Sequence, residues 1–198
     1  MTASEIETDL EAFGHAPAPE GATVFYGSSS IRMWDDLAGA FPGIPVINRG
    51  FGGSTLAECV WLLPRLIEPL RPARLILYAA DNDLEQGASP EHVVYLFRQF
   101  IAWVRNHFPT MPVAFLSVKP SPARFWNIGN IRRANELIEG ASGELPDVSF
   151  INLFPLMLSP SGGPRPELFT EDGLHMNPSG YDLWTKQIRG WLDGLPPG

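Results

Sequence analysis

The segment TVFYGSSS, residues 23–30, begins as a strand-forming run and ends in a glycine and three serines. A buried strand that stops at Gly27 and passes into a helix makes a tight turn, because glycine adopts backbone angles that other residues avoid. The first amide groups of the helix are left without partners there. Such a turn can present a nucleophilic serine or bind a phosphate. It also fits a plain serine N-cap, so the rest of the chain has to decide between these readings.

Apolar runs of the strand type recur along the chain and alternate with helical patterns. We predict strands at 23–26, 44–48, 74–80, 113–118 and 148–153. The predicted helices are 30–40, 56–68, one that begins at Pro90, 127–141 and 178–192. This alternation predicts an α/β protein with three α/β/α layers, whose core is a flavodoxin-like, doubly wound, parallel five-stranded sheet.

The N-terminal segment differs in composition from the rest. Residues 1–22 contain five acidic residues and no lysine or arginine. We predict an N-terminal acidic arm over 1–22, with a short helix at about 4–13 and a stiff connector at 16–19. Residues 23–198 are predicted to form one catalytic domain.

Charge and composition exclude several classes of protein. The net charge is −8, and no basic stripe is present, so a nucleic acid partner is not expected. No apolar run is long enough to cross a bilayer, and no secretory leader is visible. We therefore expect a cytoplasmic protein without a membrane partner.

The single cysteine, Cys59, excludes an internal disulfide and is expected to be a small core residue. No group of histidine and carboxylate residues has the spacing of a metal site, so neither a metal nor another cofactor is expected. Tryptophans and the acidic arm could build a homo-oligomer, although core packing explains the tryptophans equally well.

Polar segments follow the first three strands and precede the last helix. They are 27–30, 48–53, 80–83 and 171–178. In a parallel sheet such segments meet at the carboxyl edge, where ligands bind. Taken singly, each fits a turn or a cap, and a lone histidine is more often structural. Together they supply a hydroxyl nucleophile, an imidazole, a carboxylate and N–H donors, which are the components of acyl transfer.

These four segments resemble, in the same order, the blocks of the SGNH hydrolases, also called the GDSL family of esterases and lipases. The first block aligns GSSS at 27–30 with the family's Gly-Asp-Ser-Leu. The second runs from Asn48 to Gly53, and the third aligns ADND at 80–83 with Gly-x-Asn-Asp. The fourth, Asp-x-x-His, is met by Asp172 and His175 and continues as NPSGY.

Two positions depart from the family pattern. Ser28 stands where the family usually has aspartate, and Ala80 stands where it usually has glycine. The first departure leaves three adjacent serines as candidates for one role. The alignment favours Ser29, because choosing Ser30 would place Ser28 where glycine is expected.

The resemblance implies a serine ester hydrolase that works through an acyl-enzyme and needs no cofactor. Ser29 is the implied nucleophile, His175 the base and Asp172 the carboxylate that orients it. The implied oxyanion hole consists of the backbone N–H groups of Ser29 and Gly53 and the side-chain amide of Asn82.

The expected substrates are small, acetyl-type esters of aryl alcohols or sugars, because the sequence has no long lid-like insertion. Arg32, Trp34, Phe125 and Trp126 are the candidate substrate-binding residues, the last two within segment 119–126. The alternatives are an acyltransferase, or a lysophospholipase or thioesterase, on the same fold. A flavodoxin-like phosphate- or flavin-binding module is a further alternative, but it gives His175 no role.

Overall fold

A computed structural model of the chain describes residues 3–14, 19 and 21–195. Its strands are β1 (Thr23–Gly27), β2 (Val46–Gly50), β3 (Arg74–Tyr78), β4 (Val113–Leu116) and β5 (Val148–Ile151). They form one sheet in the order β2-β1-β3-β4-β5, and every neighbouring pair is parallel. This is the flavodoxin-like order, so the predicted α/β/α architecture is confirmed.

Helices cover both faces of the sheet. They are α1 (Ala3–Phe13), α2 (Ser29–Arg32), α3 (Leu37–Ala40), α4 (Leu56–Leu66), α5 (Asp81–Glu85), α6 (Pro90–His107), α7 (Ile128–Gly143) and α8 (Pro178–Asp193). Short 3₁₀ turns lie at Glu68–Leu70, Pro122–Asn127, Phe154–Met157 and Pro166–Leu168. Within the described residues, no helix combines the length and apolarity that crossing a membrane requires. The cytoplasmic location and the homo-oligomer stay predictions.

Two apolar cores lie on opposite faces of the sheet, because successive side chains of a strand point to opposite sides. Tyr26 belongs to one core, where its hydroxyl donates to the carbonyl of Cys59 at 2.8 Å. Phe25 belongs to the other, where its ring contacts Trp34 edge-on. Cys59 is fully buried, as predicted.

Several predicted elements differ from the structure. β3, β4, β5 and α4 each end two residues earlier than predicted, and two other elements differ more. The single helix predicted at 30–40 is wrong: α2 ends at Arg32, and α3 begins afresh with Asp36 as its cap. The break lets the intervening turn bury Trp34. The strand predicted at 44–48 lies two residues further on, because β2 pairs along β1 as far as Gly50. The short helix α5 was not predicted.

The N-terminal helix α1 is found close to its predicted position and packs against the domain. Leu10 is buried in the core beside α4, and the guanidinium of Arg49 lies 4.9 Å from the ring centre of Phe13. Most of the predicted connector, residues 16–18, lies outside the described residues. The division of the chain at residue 22 stays a prediction.

Gly27 forms the turn at the end of β1. Its φ is 130°, and a Cβ atom at this position would overlap the carbonyl oxygen of Tyr78. That oxygen cannot easily move, because it accepts a hydrogen bond from the N–H of Ser28 at 3.0 Å.

We expect Gly27→Ala to lower the free energy of unfolding by about 3 kcal/mol or more, the combined effect of backbone strain and overpacking. Urea denaturation measures the change. Gly140→Ala is the matched control, since Gly140 lies in α7 and a Cβ there would meet nothing within 4 Å. That variant should be stabilised by about 0.5–1 kcal/mol. Equal effects of the two substitutions would contradict the steric explanation.

Candidate active site

Burial separates the three adjacent serines at the start of α2. Ser28 and Ser30 are 2% and 1% exposed, whereas Ser29 is only partly buried. The Ser29 hydroxyl oxygen lies 3.0 Å from Nε2 of His175, 146 residues further along the chain. Among the described residues, Ser30 Oγ has no hydrogen-bond partner. Only Ser29 therefore combines an accessible hydroxyl with a base.

The segment from Thr170 to His175 forms a turn around the Asp172 carboxylate. Oδ1 of Asp172 accepts hydrogen bonds from the N–H groups of Leu174 and His175, at 2.8 and 2.9 Å, and from the Thr170 hydroxyl at 2.8 Å. Oδ2 lies 2.6 Å from Nδ1 of His175. Contacts within residues 170–175 thus place acid and imidazole together.

These contacts fix the tautomer of His175. An ionised carboxylate can only accept hydrogen bonds, so Nδ1 of His175 carries the proton and donates a hydrogen bond to Asp172. Nε2 then presents a lone pair, and the Ser29 hydroxyl donates to it. This is the tautomer in which the imidazole can remove a proton from the serine.

Asp172 stays ionised over a wide pH range. Partial desolvation raises its pKa, but the hydrogen bonds from the His175 ring, from the N–H groups of Leu174 and His175 and from Thr170 outweigh desolvation. The net result is a pKa well below the ordinary aspartate range.

The loop after β2 lies beside the nucleophile turn, because the ends of β1 and β2 pair at Gly27 and Gly50. Asn48 connects the two: its side chain donates to the carbonyl of Ile31 at 2.7 Å and accepts from the N–H of Gly50 at 2.9 Å. Gly53 follows with a φ of 60° and is partly exposed.

Two consecutive residues of α5 bind this loop from the other side. Asn82 donates to the carbonyl of Ser54 at 2.9 Å, and Asp83 accepts from the N–H of Leu56 at 2.8 Å. Burial raises the pKa of Asp83. Just before them, Ala80 has a φ of 82°, a left-handed conformation that glycine adopts without strain. This explains why glycine is the residue expected at that position.

The ends of three adjacent strands therefore bring N–H donors to one place. β1 lies between β2 and β3 in the sheet. The chain leads from β1 to Ser29, from β2 to Gly53 and from β3 to Asn82. Among the described residues, the backbone N–H groups of Ser29 and Gly53 have no hydrogen-bond acceptor. Asn82 uses one N–H of its amide for Ser54 and has a second one available.

The four candidate substrate-binding residues have different environments. Trp34 is 4% exposed and packs against the rings of Phe25, Phe41, Tyr181 and Trp184, so it is a core residue. Arg32 forms an ion pair with Asp9 at 3.3 Å. Phe125 is partly buried and Trp126 is 70% exposed.

Sequence reasoning missed three residues that contact the site. Asp83 belongs to the third block and Arg124 to segment 119–126, but neither was predicted to act in the site. Asp9 was counted as one of several acidic residues of the arm, yet its Oδ2 accepts from the N–H of Gly52 at 3.0 Å. No local pattern could have identified this contact, because 43 residues separate the two partners.

Comparison with solved structures shows the same fold in other proteins. A Streptococcus pneumonia protein provisionally described as a platelet activating factor is 19% identical, with a TM-score of 0.85 over 96% of this chain and 93% of that one. A provisionally assigned acylhydrolase from Bacteroides fragilis is 20% identical, with a TM-score of 0.80 over 98% of both chains. A family 3 carbohydrate esterase from Clostridium thermocellum is 13% identical, with a TM-score of 0.66 over 87% and 94%.

Identities this low establish the fold and not the substrate. No curated protein sequence matches the chain. The model of the GDSL-like lipase/acylhydrolase family, however, matches residues 18–183. Since that match covers most of the chain, the protein belongs to the GDSL-like lipase/acylhydrolase family and is a serine ester hydrolase.

Proposed function

We propose that Ser29, His175 and Asp172 form the catalytic triad of this hydrolase. The observation that carries the proposal is the 3.0 Å contact between Ser29 Oγ and His175 Nε2, in a tautomer fixed by the 2.6 Å contact between Nδ1 and Asp172. Free serine is a weak nucleophile and needs a base at this distance. The burial of Ser28 and Ser30 leaves no other serine of the turn for the role.

The reaction proceeds in two halves. His175 takes the proton of Ser29 as its oxygen attacks the ester carbonyl, and then gives that proton to the departing alkoxide. Water then attacks the acyl-enzyme, with His175 again as the base. Asp172 holds the ring and stabilises the imidazolium, and it remains ionised throughout.

The negative charge that develops on the carbonyl oxygen requires donors that are already in place. We assign this role to the N–H groups of Ser29 and Gly53 and to the second N–H of the Asn82 amide. What supports the assignment is their common position at the carboxyl ends of three neighbouring strands, and the absence of acceptors for the two backbone groups among the described residues.

We further propose small, acetyl-type esters of aryl alcohols or sugars as substrates. The carbohydrate esterase among the structures of the same fold supports a sugar ester. The exposed ring of Trp126 supports an aryl or sugar group, since aromatic side chains stack on flat or apolar ring faces. Trp126 and Phe125 are the proposed contacts, whereas the burial of Trp34 gives it a supporting role.

A series of p-nitrophenyl esters with acyl chains of two to about twelve carbons tests this proposal. We expect kcat/KM to be highest for the acetyl ester and to fall as the chain lengthens. Acetylated sugars then identify the alcohol, by release of acetate. A steep rise of kcat/KM with chain length would contradict the small-ester proposal and favour a lipid substrate, without affecting the triad.

The hydrogen bond between α1 and the loop after β2 leads to a further prediction. Asp9 holds the N–H of Gly52, next to the proposed oxyanion donor Gly53. Asp9→Ala removes the hydrogen bond to Gly52 together with the ion pair to Arg32, so the neighbouring oxyanion donor is held less firmly. We expect kcat for p-nitrophenyl acetate to fall about tenfold with little change in KM, which corresponds to about 1.4 kcal/mol of lost transition-state stabilisation.

Glu7→Ala is the matched control for Asp9→Ala. It removes one carboxylate from the same helix and, among the contacts of residues 3–14, 19 and 21–195, breaks the exposed pair with Arg65. Its kcat should equal that of the wild type. If both variants lose activity equally, α1 contributes through charge or overall stability and not through the contact with Gly52.

A further inference from the structure

A buried cluster of charged side chains lies directly behind the proposed oxyanion site. Asp81 is 4% exposed and lies between two cations. Nζ of Lys119 is 2.9 Å from Oδ2 of Asp81 and donates to the Tyr78 hydroxyl at 3.1 Å. Nη1 of Arg124 is 2.8 Å from Oδ1 of Asp81. None of these groups takes part in the proton transfers described above.

Arg124 connects this cluster to Asn82. Its side chain is 13% exposed, and its three nitrogens contact three different residues. Besides the contact with Asp81, Nε lies 3.4 Å from the Glu85 carboxylate, and Nη2 donates to Oδ1 of Asn82 at 2.9 Å. A planar guanidinium placed by two ion pairs and one hydrogen bond has a restricted orientation, and so does the amide that it binds.

The contact with Arg124 determines which way the Asn82 amide faces. Its oxygen accepts from Arg124, and its nitrogen donates to the carbonyl of Ser54 at 2.9 Å. A flipped amide would set N–H against the guanidinium and oxygen against the Ser54 carbonyl, losing both hydrogen bonds. The observed orientation leaves one N–H of Asn82 directed neither to Arg124 nor to Ser54.

The 3₁₀ turn that carries Arg124 also contacts the acid–base side of the site. The N–H of Ala123 donates to the carbonyl of Gly173 at 3.0 Å, between Asp172 and His175. Gly173 has a φ of 65° and packs against Pro122. One short segment thus touches both the turn of the base and the oxyanion amide.

We infer that Arg124 is a positioning residue that orients the Asn82 amide toward the oxyanion, with Asp81 and Lys119 holding the guanidinium in place. The inference rests on the proposed function, because it needs Asn82 as an oxyanion donor. Among the described residues, Arg124 has no polar contact with Ser29, His175 or Asp172. Its contribution is expected in kcat, since the hydrogen bond from the Asn82 amide to the substrate strengthens only as charge develops on the carbonyl oxygen.

A double-mutant cycle tests the inference. Kinetics with p-nitrophenyl acetate are measured for the wild type, Asn82→Ala, Arg124→Met and the double variant, together with thermal unfolding. We expect Asn82→Ala to lower kcat about 10²–10³-fold and Arg124→Met about 10- to 100-fold, with KM within about threefold. The double variant should lie within about threefold of Asn82→Ala alone, because Arg124 acts only through that amide.

Two further variants separate positioning from charge. Arg124→Lys keeps a cation for Asp81 but lacks the fork that also reaches Asn82, so it should fold like the wild type and still lose kcat. If Arg124→Met fails to fold, Arg124→Lys still tests the inference. Arg98→Met is the control for loss of an arginine, since Arg98 pairs only with the exposed Glu144 among the described residues. Its kcat should be unchanged.

The outcomes distinguish failure of the inference from failure of the proposed function. If the losses of Asn82→Ala and Arg124→Met multiply in the double variant, or if Arg124→Lys keeps the wild-type kcat, Arg124 does not act through Asn82. If Ser29→Ala retains activity, the proposed nucleophile itself is wrong, whatever Arg124 does.

Discussion

Ser29→Ala should lower kcat for p-nitrophenyl acetate by at least about 10⁴-fold, because removal of a serine nucleophile eliminates the acyl-enzyme pathway. The protein should remain folded, since Ser29 is partly exposed and its hydroxyl contacts only His175 among the described residues. A second readout is the loss of covalent labelling by a serine-directed phosphonate, detected as a mass shift that the wild type shows and the variant lacks.

Ser30→Ala provides the control, one residue away. Ser30 Oγ is buried and has no hydrogen-bond partner in the part of the chain that the structure describes, so its removal should leave kcat within about twofold and stability unchanged or slightly higher. The pair of variants resolves the ambiguity left by three consecutive serines. Activity that survives in Ser29→Ala and disappears in Ser30→Ala would move the nucleophile by one residue and contradict the geometry described above.

Asp172→Asn should lower kcat by about 10³–10⁴-fold while KM changes little. An asparagine at this position can donate to Nδ1 of His175, which favours the opposite tautomer and protonates Nε2. The Ser29 hydroxyl then has no base. Thr170→Val is the control: it removes one hydrogen bond to the Asp172 carboxylate but leaves the one to the ring, so the loss should be at most about tenfold.

The depressed pKa of Asp172 also predicts how stability depends on pH. The folded protein holds this carboxylate ionised below its ordinary pKa of 3.8, so its stabilising contribution is complete above that pH and is lost as the pH falls toward the lower folded value. The difference in Tm between wild type and Asp172→Asn should therefore be constant near neutral pH and shrink below about pH 3.8. A difference that already disappears near pH 6 would contradict the assignment.

Much of the fold could be predicted from local patterns. The long helices α6 and α8 begin at Pro90 and Pro178 as expected, since a cap followed by proline defines a helix start without help from tertiary structure. The break between α2 and α3 was missed, because it depends on the burial of Trp34 against distant rings and not on local propensity.

The candidate site also has parts that could be predicted from the local sequence and parts that could not. The turn of Asp172 and His175 is local, with two residues between acid and base, so its spacing could be recognised in the sequence. The contacts of Asp9 with Gly52 and of Arg124 with Asn82 join residues more than 40 positions apart. Single acidic or basic residues carry no pattern in the sequence that would indicate such partners.

The sequence by itself determined the α/β alternation, the polar segments at one edge of the sheet and the pairing of acid with imidazole, because each depends on residues close together in the chain. Among the three serines of GSSS, residues 27–30, the alignment favoured Ser29, but only the tertiary structure brings its hydroxyl next to His175. Burial of Ser28 and Ser30 and exposure of Ser29 follow from the direction in which α2 leaves Gly27. That direction is set by the packing of β1 between β2 and β3. There Gly27, which has no Cβ atom, fits against the backbone of Tyr78.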